Sequence, residues 1–317
     1  MEACSMNPVT DQLAHWLLAS LELDTTLFHV GQYCGTWRAA PSDVMRSGFH
    51  LVLNGQCWLH LPDTVEALPL QKGDAVFFIR ETTHYLSPSA SPDDPALCRV
   101  KSGDMLPIDE SVPDAVALAC GFFHFKSGLS AMLLSSFPDY LIIRGDQTEL
   151  LAAKTIFDLI LTEARQSGET ASPLIVRLTD VLFFYAIRQL ATTQEISAGL
   201  WAVVQSPEFA KLVEAVINEP EKDWPVEKMA DYSHMSRATF FKRFSQVAGQ
   251  TPNIFLVMVR MKMAAQLLRQ GRTISQVAEK VGYQSESAFS KAFKKVIGQQ
   301  PGAYQKSSHY FNKVKTN

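Results

Sequence analysis

Two short stretches of the chain place basic and hydroxyl side chains at the spacing of one helix face. Over Arg237–Phe244 the outward positions are Arg237, Ala238, Phe241 and Lys242, followed by Ser245, while Phe240, Phe244 and Val247 form the opposite, apolar stripe. Over Glu286–Lys295 the outward set is Glu286, Ser287, Ser290, Lys291 and Lys294, set against Phe289, Phe293 and Val296. Guanidinium and ammonium groups carry fixed positive charge and several N–H donors, and hydroxyls both donate and accept. Side chains of these types on two helix faces suit a polyanion.

The elements that would hold these faces form a repeat. Val226–Phe255 lies over Ile274–Tyr304 with an offset of 48 residues, which becomes 49 after a one-residue insertion in the second turn. Ala230 then matches Ala278, Ser236 matches Ser285, Phe240 matches Phe289, Lys242 matches Lys291, Phe244 matches Phe293, and Pro252 matches Pro301. In the second copy Thr273 and Gln276 have the spacing of a capping box, and Ile274, Val277, Ala278 and Val281 give a short apolar face. Gly282 supplies a left-handed residue to end that helix, and Ser285 caps the next. The first copy repeats this order with Val226, Met229, Ala230 and Ser236. A short helix, a tight turn and a second helix that is polar and basic outside is the helix-turn-helix arrangement, expected at about 226–247 and 274–297. Asn253–Leu268 keeps a helical stripe between the copies, so a rigid helix is expected to set their spacing.

Charge supports a nucleic-acid partner for this half alone. From Pro225 to Asn317 there are 15 Lys and Arg against 4 Asp and Glu, a local +11 that leaves −14 on the rest of a chain whose net charge is −3. At 317 residues, with 47% hydrophobic and 19% charged residues, the composition is that of a folded protein of two domains. No run of 18 apolar residues suggests a membrane span, and the first residues lack the pattern of a secretory signal, so a cytoplasmic protein is expected. Five scattered cysteines without a CxxC match neither a disulfide framework nor a zinc knuckle.

The first half reads differently. Residues from about Thr25 to Lys126 alternate short apolar runs with Gly, Pro, Asn and Ser clusters, which predicts a β-barrel or sandwich. Asn54-Gly55 between Phe49–Leu53 and Gln56–Leu61 predicts a two-residue type I′ hairpin. Cys98 and Cys120 are placed on neighbouring strands, where they are either a redox pair or buried inert thiols. Two helices follow within 150–190. In the second, Leu174, Leu178, Val181, Leu182 and Tyr185 form a stripe that either covers the barrel or pairs with a second copy in a homodimer. Ser206-Pro207-Glu208 carries the signals of a further helix start, with Ser206 as the cap. The expected fold is α+β in two domains. Residues 1–140 form a β-barrel, 141–204 a helical connector or dimerisation segment, and 205–309 an all-α double helix-turn-helix domain.

The segment from Ser206 to Lys306, and above all Ile274–Tyr304, resembles the AraC/XylS family of transcription regulators. The resemblance implies one monomer placing two recognition helices in successive major grooves of promoter DNA and working with RNA polymerase, usually as an activator. It assigns base-edge contacts to Arg237, Ala238, Phe241 and Lys242 in the first helix and to Glu286, Ser287, Ser290 and Lys291 in the second. It assigns phosphate contacts to Arg243, Lys294 and Lys295. The first 130 residues resemble a cupin sensor barrel through Gly73-Asp74, His84 and His50, but lack that fold's paired His-x-His. His50, Cys57, His84 and His124 are the implied effector residues, and His50 and His84 the implied metal candidates; an unidentified metal or small-molecule effector is the expected cofactor. The resulting expectation is a regulator, not an enzyme, controlled by an effector or redox signal. The competing readings are a metal-dependent cupin enzyme tethered to DNA and a nonspecific architectural DNA binder.

Overall fold

A computed structural model describes residues 21, 23–40, 47–62, 64, 66–92, 94, 105–109, 111–125, 130, 133–135, 137–145, 151–167, 172–192 and 199–306. The chain divides into two compact units. One comprises Leu23–His124 and Phe137–Gln189, and the other Met1–Glu22, Phe125–Ser136 and Leu190–Asn317. Among the described residues no helix is long and apolar enough to cross a membrane.

The first unit is β-rich. Its strands are β1 (Leu23–Tyr33), β2 (Gly48–Asn54), β3 (Gln56–His60), β4 (Leu68–Gln71), β5 (Ala75–Phe78), β6 (Tyr85–Ser87), β7 (Val116–Phe125) and β8 (Tyr140–Ile143). They form a five-stranded sheet in the order β1-β7-β2-β5-β8 and a three-stranded sheet β4-β3-β6. Of the expected barrel or sandwich, the described strands form two sheets over one shared core, not closed into a barrel. Val52, Val76, Phe78, Leu118 and Cys120 of the larger sheet pack with Cys57, Leu59, Leu70 and Leu86 of the smaller.

The type I′ hairpin is corrected too. Gly55 alone adopts positive φ, at 80°, while Asn54 is the last residue of β2. A Cβ on Gly55 would lie 2.5 Å from the Ala115 carbonyl oxygen. One left-handed residue thus passes the chain from one sheet to the other, where a I′ turn would have reversed it within one sheet. Because β2 is central and covered on both faces, nearly all its residues are buried, which is why it reads as a continuous apolar run rather than an alternation.

The outer face of the large sheet packs on helix. Two helices follow the strands, α1 (Leu151–Ser167) and α2 (Pro173–Thr192). Phe183 of α2 lies 5.6 Å from the ring of Phe77 and 4.9 Å from that of Phe123, and Phe49 completes the cluster. The α2 stripe read from sequence splits in consequence. Leu182 is fully buried, whereas Leu174 and Val181 are 58% and 44% exposed. At the far edge, the Asp74 carboxylate is fully buried. It accepts from Arg144, at 2.8 Å, and from the amides of Gln71 and Gly145, so its charge is paired and bonded where burial would otherwise be costly.

The second unit is helical: α3 (Leu200–Gln205), α4 (Pro207–Asn218), α5 (Val226–Tyr232), α6 (Arg237–Ala248), α7 (Pro252–Arg269), α8 (Ile274–Lys280) and α9 (Glu286–Ile297). Pro207 opens α4 as expected, but the Ser206 hydroxyl donates to the Ala202 carbonyl, 2.7 Å away in α3, instead of capping α4. The repeat has matched turns. The Met235 amide donates to the Ala230 carbonyl, and the Tyr283 amide to the equivalent Ala278 carbonyl. The left-handed residue is His234 (φ 52°) in the first copy and Gly282 (φ 77°) in the second. Ser236 follows Met235 directly, whereas Gln284 separates Tyr283 from Ser285, so the inserted residue falls after an otherwise conserved turn.

Gly282 has a second reason to be glycine, since a Cβ there would sit 2.7 Å from both the Glu221 carbonyl oxygen and Arg260 Nη2. Gly282→Ala is expected to destabilise the helical unit by about 1–3 kcal/mol, whereas His234→Asn, which keeps a residue tolerant of that conformation, costs little. Urea unfolding followed by circular dichroism checks both.

Candidate nucleic-acid interface

Each of the two exposed faces stands on a capped helix. Ser236 Oγ accepts from the Thr239 amide at 3.2 Å, and Ser285 Oγ from the Ala288 amide at 3.2 Å. In the second copy the full capping box forms, with Thr273 and Gln276 each holding the other's amide. The far ends are stopped by left-handed Gly249 and Gly298. Phe240, Phe244, Phe289 and Phe293 are fully buried, which fixes the rotation of α6 and α9 about their axes and therefore which residues face outward.

On α6 this leaves Arg237, Ala238, Phe241, Lys242 and Arg243 exposed, with the Phe241 ring still 43% accessible. On α9 Glu286, Ser287, Lys291, Lys294 and Lys295 are exposed, and Ser290 is half-buried. Thr239 is also exposed on α6, and its hydroxyl lies 2.8 Å from Ser236 Oγ.

The electrostatics of the two helices differ. Arg237 Nε lies 3.0 Å from Glu227 on α5, and Arg243 Nε lies 2.8 Å from Glu208 on α4. Neither carboxylate was legible as a partner, since each belongs to another helix. Lys242, Lys291, Lys294 and Lys295 form no ion pair among the described residues. Glu286, at the start of α9, lines an open cleft of about 700 Å³ with Glu221, Asp223 and Glu279. Arg260 crosses that cleft, donating to the carbonyls of Pro220 and Lys222. The cationic part of α9 is thus its later turns.

In the β unit, three of the four effector candidates fall in or beside the shared core and the fourth does not. His50 and Cys120 are directly paired across β2 and β7. Hydrogen-bond chemistry fixes the protons. His84 Nδ1 is 2.7 Å from the Thr82 carbonyl, which only accepts, so that nitrogen carries the proton. A neutral His84 then accepts at Nε2 from His50 Nε2–H, 2.8 Å away. His50 Nδ1 in turn accepts from the Cys120 thiol at 3.0 Å.

The nitrogens of His50 and His84 that face each other are thus engaged with one another. At 2.8 Å they are closer than two ligands of one tetrahedral zinc, for which bonds of about 2.0–2.1 Å require roughly 3.4 Å. Among the described residues no cluster of three His, Cys, Asp or Glu side chains is arranged to hold a metal ion. The described residues do not fit a metal centre. Cys57 is buried in the same core, His124 is exposed near the end of β7, and Cys98 lies outside the described residues.

Burial pushes the Cys57 thiol up to about 12, with Asp74 adding to it, and pushes Cys120 up further, so neither is a ready thiolate. A separate cavity of about 290 Å³ opens on the outer side of the sheet. Val52, Lys72, Gly73, Lys154, Phe157 and Leu161 are among its lining residues.

Burial, with His84 beside it, holds His50 well below its usual 6.5, and burial also lowers His84 and His60. Native imidazoles that resist protonation stabilise the fold above the unfolded value, and that contribution is lost as pH falls through and below 6.5. The urea midpoint of the β unit is therefore expected to drop between pH 7.5 and pH 5, with a shallower drop in His50→Gln; equal slopes would refute the assignment.

Comparison with known proteins agrees with this arrangement. The cupin family profile matches residues 11–192, and a helix-turn-helix domain profile matches residues 229–307. An uncharacterised HTH-type transcriptional regulator of Haemophilus influenzae is 30% identical over 282 residues, spanning 87% of this chain and 92% of that one. A putative AraC-like transcription regulator of Streptomyces lividans is 28% identical, over 81% of this chain and 86% of its own. Among solved structures, ToxT from Vibrio cholerae O395 shares 12% identity with a TM-score of 0.35 over 89% of this chain and 96% of that one, a likeness too low to argue from. With a cupin domain at the front and a duplicated helix-turn-helix at the back, the chain belongs to the AraC-type transcriptional regulators.

Proposed function

We propose that α6 and α9 read promoter DNA by entering successive major grooves of one duplex. Arg237, Ala238, Phe241 and Lys242 face base edges from α6, and Glu286, Ser287, Ser290 and Lys291 from α9. Arg243, Lys294 and Lys295 meet phosphate. The observation that carries the reading is the matched pair of capped helices with exposed, polar and basic outer faces in a segment of net +11. Lys and Arg donate to guanine O6 and N7, hydroxyls adapt to several edges, and the exposed Phe241 ring suits a thymine methyl.

In this reading the protein is an activator that works with RNA polymerase in the cytoplasm, not an enzyme. The cupin domain takes a signal and alters the DNA-binding half. The buried, high-pKa state of Cys57 and Cys120 favours a ligand over a thiol switch as that signal, and the cavity beside α1 offers more room than the packed His50 core. A homodimer through α2 is the second part of the proposal. Leu174, Leu178, Val181 and Tyr185 recur at the heptad-like spacing of a helix-pairing seam, and the first and third are well exposed.

Selection from a randomised duplex library, followed by binding measured across salt concentrations, tests the DNA reading. Lys294→Ala should lower the slope of log affinity against log salt by about one without changing the preferred sequence. Lys291→Ala should relax discrimination at one base pair by about 1–3 kcal/mol. Equal affinity for every duplex refutes sequence-specific binding. For the dimer, Leu174→Glu with Val181→Glu should give a folded monomer by sedimentation velocity, and an unchanged sedimentation coefficient refutes the α2 seam.

A further inference from the structure

The two arginines of α6 each have a carboxylate beside Nε, as a hydrogen-bonded pair at Arg243 and as an ion pair at Arg237. Arg237 Nε lies 3.0 Å from Glu227 Oε1, and Arg243 Nε lies within 2.8 and 3.0 Å of the two oxygens of Glu208. A guanidinium is a planar fork whose donors point along a side edge, which includes Nε, and off the far end, where the two Nη groups stand as a pair. A carboxylate in ion-pair contact with Nε, as Glu227 is with Arg237, leaves that terminal pair free to donate. Two parallel donors at the end of the side chain match guanine O6 and N7.

Position adds to the argument. Arg237 is the first residue of α6, directly after the Ser236 cap, and its side chain is 70% exposed. Glu227 lies in the first turn of α5, the other helix of the same helix-turn-helix, so the turn that sets the angle between the helices also sets where the carboxylate stands. An unclamped arginine has about 2 kcal/mol of rotamer freedom to lose when it docks. Holding it at Nε removes part of that loss before DNA arrives. On α9, the lysines at 291, 294 and 295 carry no such partner among the described residues, and an ammonium has no edge to orient.

We propose that Glu227 is a positioning residue that fixes the Arg237 guanidinium for end-on reading of one guanine, so that base discrimination by the first helix depends on an acid that does not itself touch the DNA. The proposal rests on α6 entering the major groove. It has an unusual consequence: a carboxylate near phosphate weakens binding to any duplex, so removing its charge moves the two quantities in opposite directions. General affinity rises while discrimination falls. If Glu227 served only the stability of α5, as an acidic residue at a helix start, its loss would shift the melting temperature and leave discrimination alone.

The test uses the full chain and the duplex selected by the wild type, with every single-base variant of that duplex and one scrambled duplex, at fixed salt. Glu227→Gln is expected to reduce discrimination about five-fold, the upper range for an exposed ion pair, at the same base pair that Arg237→Ala affects. Affinity for the scrambled duplex is expected to rise. In an Arg237→Ala background, Glu227→Gln should change discrimination nowhere. Unaltered discrimination in Glu227→Gln, or an equal change with and without Arg237, overturns the positioning role while leaving DNA reading intact. A wild type with no preferred duplex overturns DNA reading itself, and the positioning role with it.

Discussion

A helix of seven residues does not stand alone in water, because the first turn costs more order than its few hydrogen bonds return. Both α5 and α8 are that short. Each persists by burying its apolar face on neighbouring helices, α5 on α4 and α6, and α8 on α7 and α9, and the phenylalanines make this work. Phe240 and Phe244 meet each other at a tilt and meet Phe209 of α4 edge to face, and Phe244 reaches Phe255 of α7. Phe289 and Phe293 repeat the pair, with Tyr304 closing the far side. The exposed faces are a consequence of this packing, since a helix whose aromatic stripe is fixed has no freedom left in what it shows to solvent.

Charge follows the same logic with a different outcome at each end of the unit. Packing brings α4 and α5 beside α6, and with them Glu208 and Glu227 beside its arginines. In α9 the positions that match Arg237 and Arg243 are Glu286 and Ala292; its lysines form no ion pair among the described residues, while Glu286 joins an acidic cleft instead. Two copies of one motif have therefore acquired different electrostatic surroundings, although their backbones match down to the carbonyl that each turn's amide selects.

The β unit depends on non-local constraints. His50 meets Cys120 across 70 residues of sequence because β2 and β7 are in register at that point, and it meets His84 because the loop after β5 folds back over the core. The resulting chain of hydrogen bonds satisfies every nitrogen in it. A sequence reader sees histidines and cysteines at spacings reminiscent of a metal-binding cupin; the register determines that they bind one another.

The sequence by itself determined the helical half: caps at Ser236, Thr273 and Ser285, left-handed ends at Gly249, Gly282 and Gly298, and phenylalanines four residues apart are all decided within a turn or two of chain, where local hydrogen bonds and helical period act. It also showed, through charge, which half suits a polyanion. Tertiary structure alone decided that Asn54-Gly55 crosses between sheets rather than closing a hairpin, that the strands form two sheets rather than a barrel, and that the α2 stripe has a buried side and an exposed one. It alone chose which acid stands beside which arginine. These outcomes depend on which distant segments share a core, and a pairing energy spread over many residues leaves no mark at any one of them.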